Sequence, residues 1–151
     1  MDKIYRINND TLAVRALGSS CCMIYEVDKD LEENNSLYKV LDNSCKYFGS
    51  SLKGRIEGSK HIMGNKYKSP IIVNQYENLI FFATRSFKDI STYVISYNNI
   101  KFYEKDGMNT KIIFKNDREI VLNESYTVFK NQYLNADMLY RKLENIKNTS
   151  K

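Results

Sequence analysis

Up to about residue 122 the chain is a series of short apolar–polar alternations separated by polar turns. After that a three-to-four-residue recurrence takes over. "KIYRIN" and "TLAVRAL" alternate on either side of Asn8-Asn9-Asp10 and predict a hairpin with a three-residue turn. "CCMIYEV" predicts a third strand. "DKDLEENNS" is acidic and polar, and reads as an exposed loop. "SLYKVL" is a fourth strand candidate. Pro70, the only proline, marks a break before the strand "IIV". "NLIFFAT", "STYVISY" and "NIKFYEK" follow. Asp106-Gly107 turns into "TKIIFK", and Asn116-Asp117 turns into "REIVL".

From Ser125 onward, Phe129, Tyr133, Ala136, Leu139 or Tyr140, Leu143 and Ile146 lie on one helical face. This predicts an amphipathic helix of about five turns, with Ser125 or Asn123 as its N-cap, packed on the sheet. "NIKNTSK" reads as a fraying polar tail. The expected fold class is α+β, a single domain over residues 1–151 with a short polar tail at 147–151. A mostly antiparallel curved sheet of about 7–9 short strands carries one middle helix and a C-terminal amphipathic helix.

Charge changes this picture, because its placement matters more than the net +5. Residues 1–42 hold five Lys/Arg against eight Asp/Glu. Residues 43–75 hold six, namely Lys46, Lys53, Arg55, Lys60, Lys66 and Lys68, against Glu57 alone. The remainder holds twelve against nine. The middle segment therefore concentrates a positive field that suits a polyanionic partner. Three cysteines without a C-x-x-C spacing fit neither a disulfide framework nor a metal site. No apolar run approaches the roughly 18 residues of a spanning helix, and no signal-peptide core opens the chain, so the expected location is cytoplasmic and no membrane partner is expected.

The segment "DNSCKYFGSSLKGRIEGSKHIMG" (42–64) also holds four of the six glycines and the one histidine, His61. Gly49 to Gly54 has the spacing of half a P-loop, but Arg55 and Ile56 stand where Lys and Ser/Thr are required. Isoleucine cannot ligate magnesium. Histidine-based catalysis would have to use His61, with Cys45 as the available thiol, and no third orienting group stands at a recognisable spacing. The sequence implies no cofactor. From Ser51 a helix is expected, with Ser50 and Ser51 near its free N–H groups. On it Lys53 and Lys60 share a face, and Arg55 lies about 160° from Lys53. Gly54 and Gly58 leave a strip without side chains that a helix or a sugar-phosphate backbone can approach. On residues alone, a nucleic-acid surface and a merely solvated basic face both fit.

The same residues resemble the signature of the ComK competence transcription factor family: Asp-x-Ser-Cys, a basic residue, aromatics, Gly-Ser-Ser, then Gly-Arg and Gly-Ser. "KSPIIVN", "LIFFATRS", "YVISYNNI" and "ESYTVFKNQYLNADML" resemble later family segments in the same order, so the likeness covers roughly residues 37–143. Ala83 stands where the family strand often has proline, and Tyr93 where it has tryptophan. The chain stops at Lys151, where well-known members continue with a tail associated with activation and adaptor recognition. The resemblance implies a non-enzymatic activator of DNA-uptake genes that binds double-stranded A/T-rich boxes, largely through the minor groove. It further implies a homodimer or tetramer, RNA polymerase as a partner, and proteolytic control through an adaptor. Residue chemistry then assigns Arg55 to groove insertion. Lys46, Lys53, Lys60, Lys66 and Lys68 are assigned to phosphates, and Ser50 and Ser51 to backbone hydrogen bonds. The alternative is a basic module that binds protein or membrane anions.

Overall fold

In the strand Leu79–Ala83, Leu79 and Phe81 enter one apolar cluster while Ile80 and Phe82 enter another. A strand buried on both sides needs cover on both faces of its sheet. The computed structural model describes residues 3–64 and 70–149. Its main sheet is antiparallel, in the order β3-β2-β1-β6-β5-β4. These strands are β1 Thr11–Ala16, β2 Cys22–Glu26, β3 Asp30–Glu33, β4 Ile71–Asn74, β5 Leu79–Ala83 and β6 Tyr93–Ser96. A second antiparallel sheet joins β7 Ile100–Asp106, β8 Asn109–Phe114 and β9 Glu119–Leu122. Three helices are described: α1 Leu37–Tyr47, α2 Leu52–Met63 and α3 Tyr126–Thr149. This is the expected α+β class, with nine strands among the described residues and a C-terminal helix.

One face of the six-stranded sheet presents Val14, Ile24, Ile71, Val73, Phe81 and Val94 to α1 and to Leu52 at the start of α2. The other face presents Leu12, Ile72, Ile80, Phe82 and Ile95 to α3 and to Ile112, Phe114 and Leu122 of the small sheet. From α3, Phe129, Ala136, Leu139 and Leu143 are buried there, as the helical period predicts. Each large side chain so buried contributes roughly 1.5–3 kcal/mol.

Four local expectations differ from the structure. "KIYRIN" is not a strand: Ile7 is buried, but its N–H donates to Ser44 Oγ at 3.0 Å instead of joining a ladder. The acidic "DKDLEENNS" is not all loop, since β3 pairs with β2 as the sheet edge. Its charges suit an edge that must not pair with other chains. "SLYKVL" is not a strand but the start of α1. Leu37, Val40, Leu41, Ser44 and Cys45 are buried at helical spacing, and Ser36 Oγ accepts from Lys39 N–H at 3.1 Å as N-cap. Six residues are too few to separate the two periods; the eleven of α1 are enough. Two helices therefore lie between β3 and β4, not one. Finally, α3 continues through Thr149 instead of fraying at 147. Lys147 Nζ donates to the Gln75 carbonyl at 2.6 Å, and Thr149 Oγ1 donates to the Asn145 carbonyl.

Candidate functional site

The basic segment folds as a helix, a four-residue turn and a second helix. After α1 the chain reverses at Gly49, whose φ of +92° is a left-handed value that favours glycine. The N–H groups of Gly49 and Ser50 close the helix end on the carbonyls of Lys46 and Cys45. Ser51 is the N-cap of α2, its Oγ accepting from Gly54 N–H at 3.0 Å. Asp42 Oδ1 accepts from Leu52 N–H at 2.9 Å, and its other oxygen meets Lys46 Nζ at 3.1 Å. The Leu52 N–H and, next, the Lys46 ammonium hold the Asp42 carboxyl below its usual range against the effect of burial. The protein's own hydroxyl and carboxylate thus already occupy N–H groups at the start of α2. The anion-binding end that the sequence suggested is engaged internally.

On α2 the exposed residues Lys53, Glu57, Lys60 and His61 are spaced at three, four and seven residues, so they form one outward stripe. Lys53 and Lys60 make no ion pair among the described residues. Lys46 is exposed but neutralised by Asp42. Ser50 Oγ lies 3.5 Å from the Ser51 carbonyl and 2.7 Å from where a Cβ on Gly54 would sit. Gly54 is therefore filled by the turn's own serines. A Cβ on Gly58 would meet open space, so only this end of the glycine strip remains approachable.

Arg55 faces the other way, as its angle on the helix required. Its Nη2 donates to the Phe48 carbonyl at 3.2 Å and to Gln75 Oε1 at 2.5 Å. Gln75 Nε2 also donates to the Phe48 carbonyl, at 3.0 Å. Arg55 Nε is buried without a partner among the described residues. The guanidinium thus ties the α1–α2 turn to the β4–β5 turn. Lys66 and Lys68 lie outside the described residues.

The structure adds residues that the charge count passed over. The β5–β6 loop, residues 84–92, lies beside α2, and a groove of about 350 Å³ runs between them. Tyr38, Lys53, Glu57, Lys60, Phe87 and Lys88 line it. Lys88 Nζ lies 5.8 Å from the centre of the Tyr38 ring. The available signal was "RSFK", two cations around an aromatic, but it sits beyond the segment that charge singled out.

His61 is on the exposed face of α2, whereas Cys45 is buried in α1. Burial pushes the Cys45 thiol, like that of Cys22, up to about 12. Neither is a thiolate at neutral pH, and His61 and Cys45 do not form a nucleophile–base pair. No three His, Cys, Asp or Glu among the described residues are grouped to hold a metal ion. Among the described residues no helix is long and apolar enough to cross a membrane.

A family model described as ComK protein matches residues 2–147. The chain is also similar to a protein named "Competence transcription factor" from Bacillus subtilis (strain 168). The two are 30% identical over 144 residues, covering 93% of this chain and 75% of the relative. No solved structure matches.

Proposed function

The chain belongs to the ComK family, and from that premise we propose a transcription factor that activates competence genes by binding double-stranded DNA. It reads A/T-rich boxes mainly through the minor groove and works in the cytoplasm as a dimer or tetramer. RNA polymerase and a proteolytic adaptor are its further partners. The observation that carries this reading is the outward stripe of α2. It sets Lys53 and Lys60, free of ion pairs among the described residues, on one exposed face inside the family's signature segment.

The physics agrees. A-tract minor grooves are narrow and strongly negative and attract lysine and arginine. The minor groove mainly separates A·T from G·C pairs, which suits degenerate A/T boxes. Lys53 and Lys60 contact phosphates, joined by Lys66 and Lys68. Lys46 contributes less because Asp42 already pairs with it. Ser50 and Ser51 shape the turn that presents α2. The hydrogen bonds of Arg55 favour a positioning role over groove insertion. Enzymatic function has no support from the buried thiols or the isolated His61.

Binding to an A/T-box duplex and to a scrambled duplex across a salt series tests the reading. Each engaged phosphate adds about −0.9 to the log–log slope. Engagement of two to four lysines gives roughly −2 to −4 per protomer. Equal affinity for both duplexes at every salt concentration overturns selective recognition. Failure to bind either overturns the DNA reading and favours the protein- or membrane-anion module.

A further inference from the structure

We propose that the DNA surface is two-sided, with the β5–β6 loop forming its second bank and Lys88 a phosphate contact opposite Lys53 and Lys60. The inference rests on the DNA reading above and extends it to a segment remote in sequence from the signature. The groove between loop and helix is walled by Tyr38 of α1, by Lys53, Glu57 and Lys60 of α2, and by Phe87 and Lys88 of the loop. Three ammonium groups meet one carboxylate there. Neither Lys88 nor the two helix lysines has an ion-pair partner among the described residues. A groove with a net positive lining and an aromatic wall fits a sugar-phosphate strand, whose phosphates take the lysines while its sugars meet the rings.

The loop is preorganised for this. Asp89 N–H donates to the Ser86 carbonyl at 3.0 Å, and the N–H and hydroxyl of Ser91 both donate to Asp89 Oδ1 at 2.8 Å. Arg85 Nε holds Glu124 at 2.7 Å, and Gln132 Nε2 donates to the Thr84 carbonyl at 2.9 Å, fastening the loop to the start of α3 and its approach. Gly18 N–H donates to the Ile90 carbonyl at 3.2 Å, fastening the other side to the β1–β2 turn. Phe87 is half-buried and packs against the apolar cluster beneath α1 and α2, so the residue before Lys88 is anchored to the body of the fold. The loop's other cation, Arg85, is neutralised by Glu124, whereas Lys88 points its charge toward Tyr38 and the groove. Lys88 thus reaches a bound strand without ordering a free loop, a cost that would otherwise weaken binding.

Salt-slope titrations with the A/T-box and scrambled duplexes, on wild type and on Lys88→Gln, Lys53→Gln, Lys60→Gln and Lys105→Gln, test the proposal. Lys105 lies on β7 in the separate three-stranded sheet and serves as the control. All four are exposed lysines whose substitution leaves the core intact. The expected result is a slope smaller by about 0.9 for Lys88→Gln, matching Lys53→Gln and Lys60→Gln, with Lys105→Gln at the wild-type value. An unchanged slope for Lys88→Gln, with the two helix variants reduced, overturns the second bank and leaves the DNA reading standing. A wild-type protein that binds neither duplex overturns the reading beneath it.

Discussion

Arg55 Nη2 donates to the Phe48 carbonyl 3.2 Å away, fastening α2 to the turn that precedes it. With Gln75 the guanidinium forms a three-way tie between that turn and the β4–β5 turn. Arg55→Ala is expected to lower stability by about 1–3 kcal/mol, because it leaves the Phe48 carbonyl and Gln75 short of a charged donor. Both duplexes should be bound more weakly and by the same factor, because α2 is then misplaced. Urea unfolding together with duplex titration checks this. Lost A/T preference at unchanged stability would instead restore Arg55 to the groove.

Asp42 is the second fastening, and its effect depends on pH. Its folded carboxyl titrates below the ordinary carboxylate range, so the stability it contributes is present above that range. That stability is lost as pH falls through the lowered value. Asp42→Ala is expected to cost about 1–2 kcal/mol at pH 7. The gap to wild type should narrow toward pH 3. Denaturation midpoints at the two pH values give the comparison, and a gap that widens on acidification would contradict it.

The two helical glycines of α2 should respond oppositely. Gly58→Ala places its methyl in open space and removes a glycine penalty, so stability should rise by about 0.5–1 kcal/mol. Gly54→Ala meets Ser50 Oγ at 2.7 Å and Ser51 Oγ at 3.2 Å and should show no such gain. If DNA approaches α2 closely at Gly58, its alanine variant is more stable yet binds more weakly. Thermal melts and titrations of the same two variants separate these effects.

Glu57 is the one carboxylate lining the groove among the described residues. Its neutralisation in Glu57→Gln should tighten binding to scrambled DNA roughly twofold at low salt, and the gain should shrink as salt screens the charge. Weaker binding would show that Glu57 orients the lysines beside it instead of opposing the phosphates.

Much of the candidate site was legible because helical phase is a local property. A step of 100° per residue places Lys53 and Lys60 together and Arg55 nearly opposite, whatever the helix packs against. The contacts of Arg55 with Phe48 and Gln75 follow that angle. The strand in "NLIFFAT" was equally legible, though its burial on both faces was not, since that depends on what covers the sheet. "SLYKVL" misled because a six-residue window holds too little of either period.

By itself the sequence determined the concentration of positive charge between residues 43 and 75, the capped helix that begins at Ser51, and the orientation of each side chain around it. Those follow from composition and from backbone periodicity over a few turns. Only the tertiary structure decided that the 84–92 loop meets α2, that Arg55 is tied to Gln75, and that Asp42 occupies an N–H at the start of the helix. These pairs are separated by ten to more than thirty residues. Strand order in the six-stranded sheet, with α1 and the start of α2 packed on one face, brings them together, and no local period encodes that closure.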